Sequence, residues 1–388
     1  MKIVADENIP LIHEFFDSLG EVIAVAPREL SRAHTVDADI LAVRSTVPIG
    51  RTLLEGTAVK YVGTCTAGVD HLDSKALEEM GIQWSGAPGC NANAVVDYVF
   101  STFAALELDF LRCTVGIIGC GHVGGALYRR LTQLGVSCRC YDPLLKTEQL
   151  TAAQQADLTN LEAVLQADIV CIHAPLTKTG PHSSYHLLGA EQLAQLKPGA
   201  TLISAGRGGV IDNAALRRGL EQRDDLRVVL DVWESEPDID TALHERVTLG
   251  TPHIAGHSYD GKAKGTEIIY QNVCEFLQRP ATKTFAQLDS FAPNHLIRLT
   301  HTDPLEAMRE AILSVYDVRL DHQRLKQALQ HKPDTRVAFD KLRKNYPMRR
   351  EFSNYRIELP QFNEQVTTQL RAIGFQAVDA QGKDRETC

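Results

Sequence analysis

Short apolar runs alternate with helical patterns through the first hundred residues: "KIVAD", "LIHEFFDSLG", "EVIAVA", "DILAVRS", "VKYVGTCTAG" and "GIQWSGAP". Runs this short, rich in β-branched residues and separated by amphipathic stretches, read as parallel strands joined by helices. A helix is expected to begin near Asn91, whose side chain can cap it. Its apolar residues keep helical spacing through "ANAVVDYVFSTFAALELDFL". A second, cleaner alternation follows, with "TVGIIG" as a strand, "GHVGGALYRRLTQLG" as a helix and "VSCRCYD" as the next strand. The β-rich runs "ADIVCIHAPL", "ATLISAG", "LRVVLDVW" and "VTLGTPHI" then complete it, so two α/β units are expected in tandem. After the helical "KAKGTEIIYQNVCEFLQ", the stretch "RPATKTFAQLDSFAPNH" reads as a boundary. The tail beyond it carries helices around 304–328 and 335–345, then "YRIELP", an amphipathic helix and "FQAVD". That is a small α/β appendage.

Composition adds limits. A chain of 388 residues exceeds one ordinary compact domain and suggests two or three. The formal net charge of −9 argues against nucleic acid held by bulk electrostatics, which requires gathered Lys and Arg. The opening "MKIVADENIP" has no apolar stretch with a cleavage site, and no long apolar run follows, so a cytoplasmic chain without membrane contact is expected. Nine cysteines lack any C-x-x-C pair and are read as free thiols, with no metal site.

"TVGIIGCGHVGGAL" places Gly119, Gly121 and Gly124 after a strand and at the start of a helix. In that setting the three glycines allow the turn, the approach of phosphates to the backbone, and close packing of helix on strand. A pyrophosphate would rest on the helix N-terminus. Asp142 ends the next strand, 142 − 124 = 18 residues past the third glycine, where a carboxylate can bind ribose hydroxyls. NAD is therefore expected rather than NADP, although Lys146 lies close by.

Three more segments put polar residues directly after strands, where an open parallel sheet gathers its ligands. "ISAGRGGVID" surrounds Arg207 with small residues, and its guanidinium can grip a carboxylate through two hydrogen bonds. "VLDVWESEP" offers Asp231 and Glu236, and "TPHIAGH" offers His253. A histidine steadied by a carboxylate serves as a general base at neutral pH, and an arginine beside it holds an acid substrate. Those roles suit oxidation of a 2-hydroxy acid by hydride transfer to nicotinamide.

Together the glycine fingerprint, "ISAGRGGVID", "LDVWESEP" and "TPHIAG" resemble the D-2-hydroxyacid dehydrogenase superfamily over about residues 1–280. The resemblance implies two doubly wound parallel-sheet domains in tandem, a flavodoxin-like substrate domain (1–91 and 257–280) and a Rossmann-type NAD domain (92–256). It assigns the catalytic trio to Arg207, Glu236 and His253. Cofactor contacts are implied at Gly119, Gly121, His122, Val123, Gly124, Asp142, Ala174, Ala205, Gly206, Asp231 and Gly256.

"ADENIP", "AVRSTVPI", "VGTCTAGVDHLD", "AGHSYDGKAKGT" and "FDKLRKNYPMRREFSNY" extend the likeness over the whole chain. They resemble the branch of that superfamily that oxidises a phosphorylated four-carbon hydroxy acid in vitamin B6 biosynthesis. That likeness implies a homodimer formed by a small C-terminal α/β dimerisation domain (281–388), and substrate contacts at Ser45, Thr66 and His257. Members of the branch carry Tyr where this chain has His257, and Arg44 could add charge near Ser45. The cluster of Lys341, Arg343, Lys344, Arg349 and Arg350 either meets substrate phosphate or a partner subunit, or forms a solvated helix face. Two rival readings stay open: another 2-hydroxyacid dehydrogenase such as phosphoglycerate dehydrogenase, and a non-catalytic NAD-sensing protein on the same fold.

Overall fold

The computed structural model describes residues 1–378 apart from 147, 149, 290–294 and 332–333. It divides into two compact units, Met1–Ala92 with His257–Ala292, and Asn93–Gly256 with Pro293–Cys388. In the first unit, β1 (Lys2–Asp6), β2 (Glu21–Val25), β3 (Ile40–Val43), β4 (Tyr61–Thr64) and β5 (Gln83–Ser85) form a parallel sheet in the order β2-β1-β3-β4-β5. That is the flavodoxin-like order. Strands β3 and β4 are buried along their whole length, which is why they read as unbroken apolar runs instead of alternating ones.

The second unit holds β6 (Thr114–Ile118), β7 (Ser137–Tyr141), β8 (Ile169–Ile172), β9 (Thr201–Ser204), β10 (Arg227–Leu230) and β11 (Leu249–Gly250). All are parallel, in the order β11-β10-β9-β8-β6-β7. A single bridge from Cys140 to Leu158 continues the sheet beyond β7. With that reduced edge the order is the Rossmann one, and chain direction around the sheet reverses between β6 and β8. The strand ends line up in one row, since Tyr141 pairs with Ile118, Ile118 with Ile172, Ile172 with Ser204, Ser204 with Leu230, and Leu230 with Gly250. Whatever follows those residues in the chain therefore emerges side by side along one edge.

The helix Ala92–Ala105 is buried almost all round, as an apolar helix without a polar face must be. It ends earlier than its apolar spacing suggests, because Glu107 turns the chain at φ +52°. Phe110 then folds back onto Phe100 and Phe103, at centroid distances of 5.8 and 5.1 Å.

In the tail, β12 (His295–Arg298), β13 (Tyr355–Glu358) and β14 (Gln376–Val378) make a third parallel sheet. The expected boundary stretch 279–295 lies partly outside the described residues, as does Asp379 of "FQAVD". The helix expected over 304–328 is two helices, Pro304–Val315 and Val318–His331. Tyr316 is extended between them (φ −147°, ψ 116°), and Ser101 Oγ donates to its carbonyl while accepting from Val318 N–H. Among the described residues, the tail has no core of its own. Met308, Ile312, Phe352 and Leu370 join the cluster that holds Phe100, Phe103 and Leu127, while Leu325 and Phe339 join that of Trp233 and Leu243. Three short strands and a few helices bury too little surface to close a separate core, so the tail shares that of the second unit.

Candidate active site

Behind β6, the turn into the helix His122–Gln133 is built from crowded backbone. Gly119 sits at φ +85°, and a Cβ there would lie 2.6 Å from the backbone of Ala174; one on Gly124 would lie 2.0 Å from Gly119 O. A Cβ on Gly206 would likewise lie 2.9 Å from the Ala174 carbonyl oxygen. Gly119, Ala174 and Gly206, together with Ala205 beside them, thus share one stretch of the edge. At Gly121, by contrast, an added Cβ would meet nothing within 4 Å. Backbone packed tightly behind and open in front is the cradle a pyrophosphate needs, with His122 and Val123 opening the helix above it. Asp142 Oδ2 accepts from Cys120 N–H at 2.9 Å and Oδ1 from Leu144 N–H at 3.0 Å, which pins the carboxylate at the end of β7. Lys146 is exposed nearby.

Next along the edge come the loops after β9, β10 and β11. A Cβ on Gly208 would lie 1.9 Å from Trp233 O, so the loop of Arg207 presses directly on that of Glu236. Arg207 is half-buried, with Nη1 donating to Gly206 O at 3.1 Å. Glu236 Oε1 accepts from Trp233 N–H at 2.7 Å, and Oε2 lies 2.6 Å from His253 Nδ1. The carboxylate thereby fixes the imidazole so that Nδ1 carries the proton and Nε2 is left to accept one.

His253 itself holds a left-handed backbone, φ +54°, which costs free energy in a non-glycine residue. The constraint comes from Asp231, 1% exposed, whose Oδ1 accepts from Thr251 Oγ1 (2.7 Å) and Ile254 N–H (2.8 Å) and whose Oδ2 accepts from Ala255 N–H (2.9 Å). Burial holds this carboxyl above the usual carboxylate range, against the pull of His253 and the three donors. Tyr98 and the Trp233 indole also bond Thr251, at 2.9 Å each. Asp231 is thus visibly the anchor of the His253 loop. Sequence reading assigned it only a cofactor contact and missed Thr251 and Tyr98, although "D-x-x…TPHIA" gave two polar residues at adjacent strand ends.

Further back, both ring nitrogens of His173 are buried without a partner, and burial brings this imidazole down to about 4. One group of metal-ligating type occurs among the described residues, His186, Asp212 and Glu234, with ligand atoms within 4.8 Å. His186 Nε2 bonds Glu234 Oε1 at 2.8 Å, and Asp212 caps the helix Asn213–Gly219 through Ala215 N–H.

Ser45, Thr66 and His257 belong to the first unit. Ser45 is exposed just past β3, and Thr66, past β4, is hydrogen-bonded to Thr64 (2.8 Å) and to Gly68 O (3.0 Å). Gly256 and His257 lie where the chain passes from one unit to the other. Arg44 is occupied by Asp6, at 2.9 Å.

Residues 100–255 match the family model described as D-isomer specific 2-hydroxyacid dehydrogenase, NAD binding domain. Residues 291–374 match a Domain of unknown function (DUF3410). Over 383 residues the chain is 48% identical to Erythronate-4-phosphate dehydrogenase of Cellvibrio japonicus, covering 97% of this chain and 100% of that protein. This chain belongs to the erythronate-4-phosphate dehydrogenase family. The family member of Teredinibacter turnerae is 44% identical over 97% of this chain and 98% of its own length. Among solved structures, NAD+-bound 3-phosphoglycerate dehydrogenase from Entamoeba histolytica superposes with a TM-score of 0.61 at 24% identity, covering 72% of this chain and 95% of that one. D-Lactate dehydrogenase from Aquifex aeolicus gives 0.58 at 21%, covering 72% and 96%. Those two likenesses carry the fold; membership of the erythronate-4-phosphate dehydrogenase family rests on the full-length relatives.

Proposed function

We propose that this chain oxidises 4-phospho-D-erythronate to (R)-3-hydroxy-2-oxo-4-phosphooxybutanoate with NAD, a step of pyridoxal 5′-phosphate biosynthesis. The observation that carries the chemistry is the 2.6 Å contact between Glu236 Oε2 and His253 Nδ1 at the edge that also bears the glycine cradle. Bound on that cradle, NAD supplies the acceptor for the hydride leaving C2. His253 Nε2 takes the proton of the C2 hydroxyl, and Glu236 steadies the imidazolium that results. Arg207 holds the C1 carboxylate and offsets charge as the C2 oxygen becomes a carbonyl. Ser45, Thr66 and His257 bind the rest of the substrate, and Asp142 binds the adenosine ribose. The remaining nucleotide contacts fall to Gly119, Gly121, His122, Val123, Gly124, Ala174, Ala205, Gly206, Asp231 and Gly256.

In this reading residues 1–91 and 257–280 form the substrate domain, 92–256 the NAD domain, and 281–388 the dimerisation domain of a cytoplasmic homodimer. Leu296, Leu320, Val337, Met348 and Phe362 support the last assignment: five of the nine large exposed apolar side chains among the described residues fall in this quarter of the chain. No helix among the described residues is long and apolar enough to cross a membrane.

The test is reduction of NAD with 4-phospho-D-erythronate beside 3-phosphoglycerate and D-lactate, with a 2-oxo acid present to reoxidise retained NADH. Selective turnover of the erythronate phosphate, lost in His253→Ala, is expected. Preference for 3-phosphoglycerate would move the substrate to the wider superfamily. NADH binding with no turnover of any hydroxy acid would make the chain a nucleotide-sensing protein.

A further inference from the structure

Arg349 is a buried cation that the reaction chemistry does not use. It is 8% exposed, and its guanidinium lies over the Tyr316 ring at 4.2 Å, with the Tyr346 ring at 6.0 Å. Its Nη2 donates to the carbonyls of Ala255 and, at 3.3 Å, of Ala94. Nη1 is buried with no partner. Leaving part of a guanidinium unsatisfied inside the protein is costly, so the contacts that keep it there must matter to the fold around them.

Those contacts fall on particular peptides. Ala255 is two residues past His253, and its N–H is the one held by Asp231 Oδ2. One residue of the histidine loop is thus gripped at its N–H by a buried anion and at its C=O by a buried cation. Ala94 and Ala255 are also each the second residue inside the second unit, counted from the two places where the chain enters and leaves it. The segment that delivers Arg349 is seated on the helix Ala92–Ala105, since Asp97 accepts from Phe352 N–H at 2.9 Å and from Arg130 Nη1 at 2.8 Å.

We propose that Arg349 is a positioning residue for the acid/base histidine: the C-terminal region, part of the same unit, fixes the 253–255 loop at the Ala255 carbonyl while Asp231 holds the Ala255 N–H. This rests on the reading of His253 as the base. It gives the region that matches a domain of unknown function a task inside its own chain, separate from dimer formation. Lysine is not an equivalent residue here, because a point ammonium cannot lie flat over the Tyr316 ring while donating to the two carbonyls, as the planar guanidinium does.

The experiment compares Arg349→Lys and Arg349→Met in the full-length chain. The readouts are kcat, the KM for 4-phospho-D-erythronate, NADH affinity by fluorescence, and the primary isotope effect with 2-deuterated substrate. We expect NADH affinity within about twofold of wild type, with kcat down about tenfold in the Lys variant and about a hundredfold in the Met variant, the order of loss for a slightly misplaced catalytic group. The isotope effect should rise as the chemical step becomes slower. Wild-type kcat and isotope effect in Arg349→Lys would overturn the proposal, as would NADH affinity falling in step with kcat, which marks general loosening. If Arg349→Met does not fold, the Lys variant decides alone. If the wild type prefers another hydroxy acid, the variant-to-wild-type ratio is read with that acid. If it oxidises none, the reading of the site fails, and the inference with it.

Discussion

Replacing Asp231 with Asn removes one negative charge and turns one acceptor into a donor, at a side chain that is 1% exposed and faces three donors. Asn can keep its oxygen toward Thr251 Oγ1 and Ile254 N–H, at 2.7 and 2.8 Å in the wild type. Its NH2 then faces Ala255 N–H, donor against donor, where Oδ2 had accepted at 2.9 Å. Flipping the amide saves Ala255 but sets the NH2 against Ile254 N–H instead, while the Thr251 hydroxyl can turn to accept from it. A buried N–H left unsatisfied costs about 1–3 kcal/mol, and bonds to a charged acceptor are worth about 1.5–3 kcal/mol, so we expect a loss of about 2–3 kcal/mol. The strained φ of +54° at His253 is then no longer enforced. Relaxation of the loop moves the imidazole away from Glu236, and a displacement of about 1 Å is enough to lower kcat about a hundredfold.

The assay is steady-state turnover of 4-phospho-D-erythronate together with a thermal melt. We expect kcat to fall about a hundredfold and the midpoint by several degrees, with the KM for NAD changed by less than about threefold. A kcat within threefold of wild type would refute the reasoning. A tenfold rise in the KM for NAD, with kcat and the melt unchanged, would show that the carboxylate acts on the nucleotide and that the loop holds without it.

Glu236→Gln keeps the volume but not the charge beside His253 Nδ1; kcat should fall at least about a hundredfold while NADH affinity stays within twofold, and a kcat near wild type would remove Glu236 from the mechanism. Gly124→Ala puts a Cβ 2.0 Å from Gly119 O, so NADH affinity, by fluorescence titration, should drop at least about tenfold; an unchanged affinity would mean the turn can open freely. His173 and His244 are both brought down to about 4, chiefly by burial, so the folded chain takes up fewer protons than the unfolded chain below the ordinary histidine value of 6.5. Stability present above about pH 6.5 is therefore lost as pH falls toward 4, by at most about 3 kcal/mol per group. His244→Phe should flatten the fall in denaturant midpoint between pH 7 and 4.5, and an equally steep fall in the variant would refute the assignment.

What the sequence disclosed and what it hid divide along the range of the interactions. Strand runs, the glycine turn and the polar residues at strand ends were readable because each depends on neighbours a few positions away, and parallel pairing in register then delivers them to one edge. Charge was equally readable, but sidedness was not. "KLRKNYPMRRE" looks like one basic patch, yet Lys341, Arg343 and Lys344 lie on the helix Thr335–Lys344, whereas Arg349 and Arg350 are 8% and 9% exposed. The partners that draw Arg349 inward are 94 and 255 residues away, at distances no local pattern reports. The break at Tyr316 has the same origin, since it is set by Ser101, 215 residues earlier. Motif residues around His253 mark the proposed base, but the groups that hold the histidine in a conformation it would not choose come from the helix after Asn91, from the end of β10 and from the far C-terminal tail. A chain keeping all three catalytic motifs and losing those supports would look intact by sequence and have a poorly placed base, which is why the supports, and not only the motifs, are the residues to mutate.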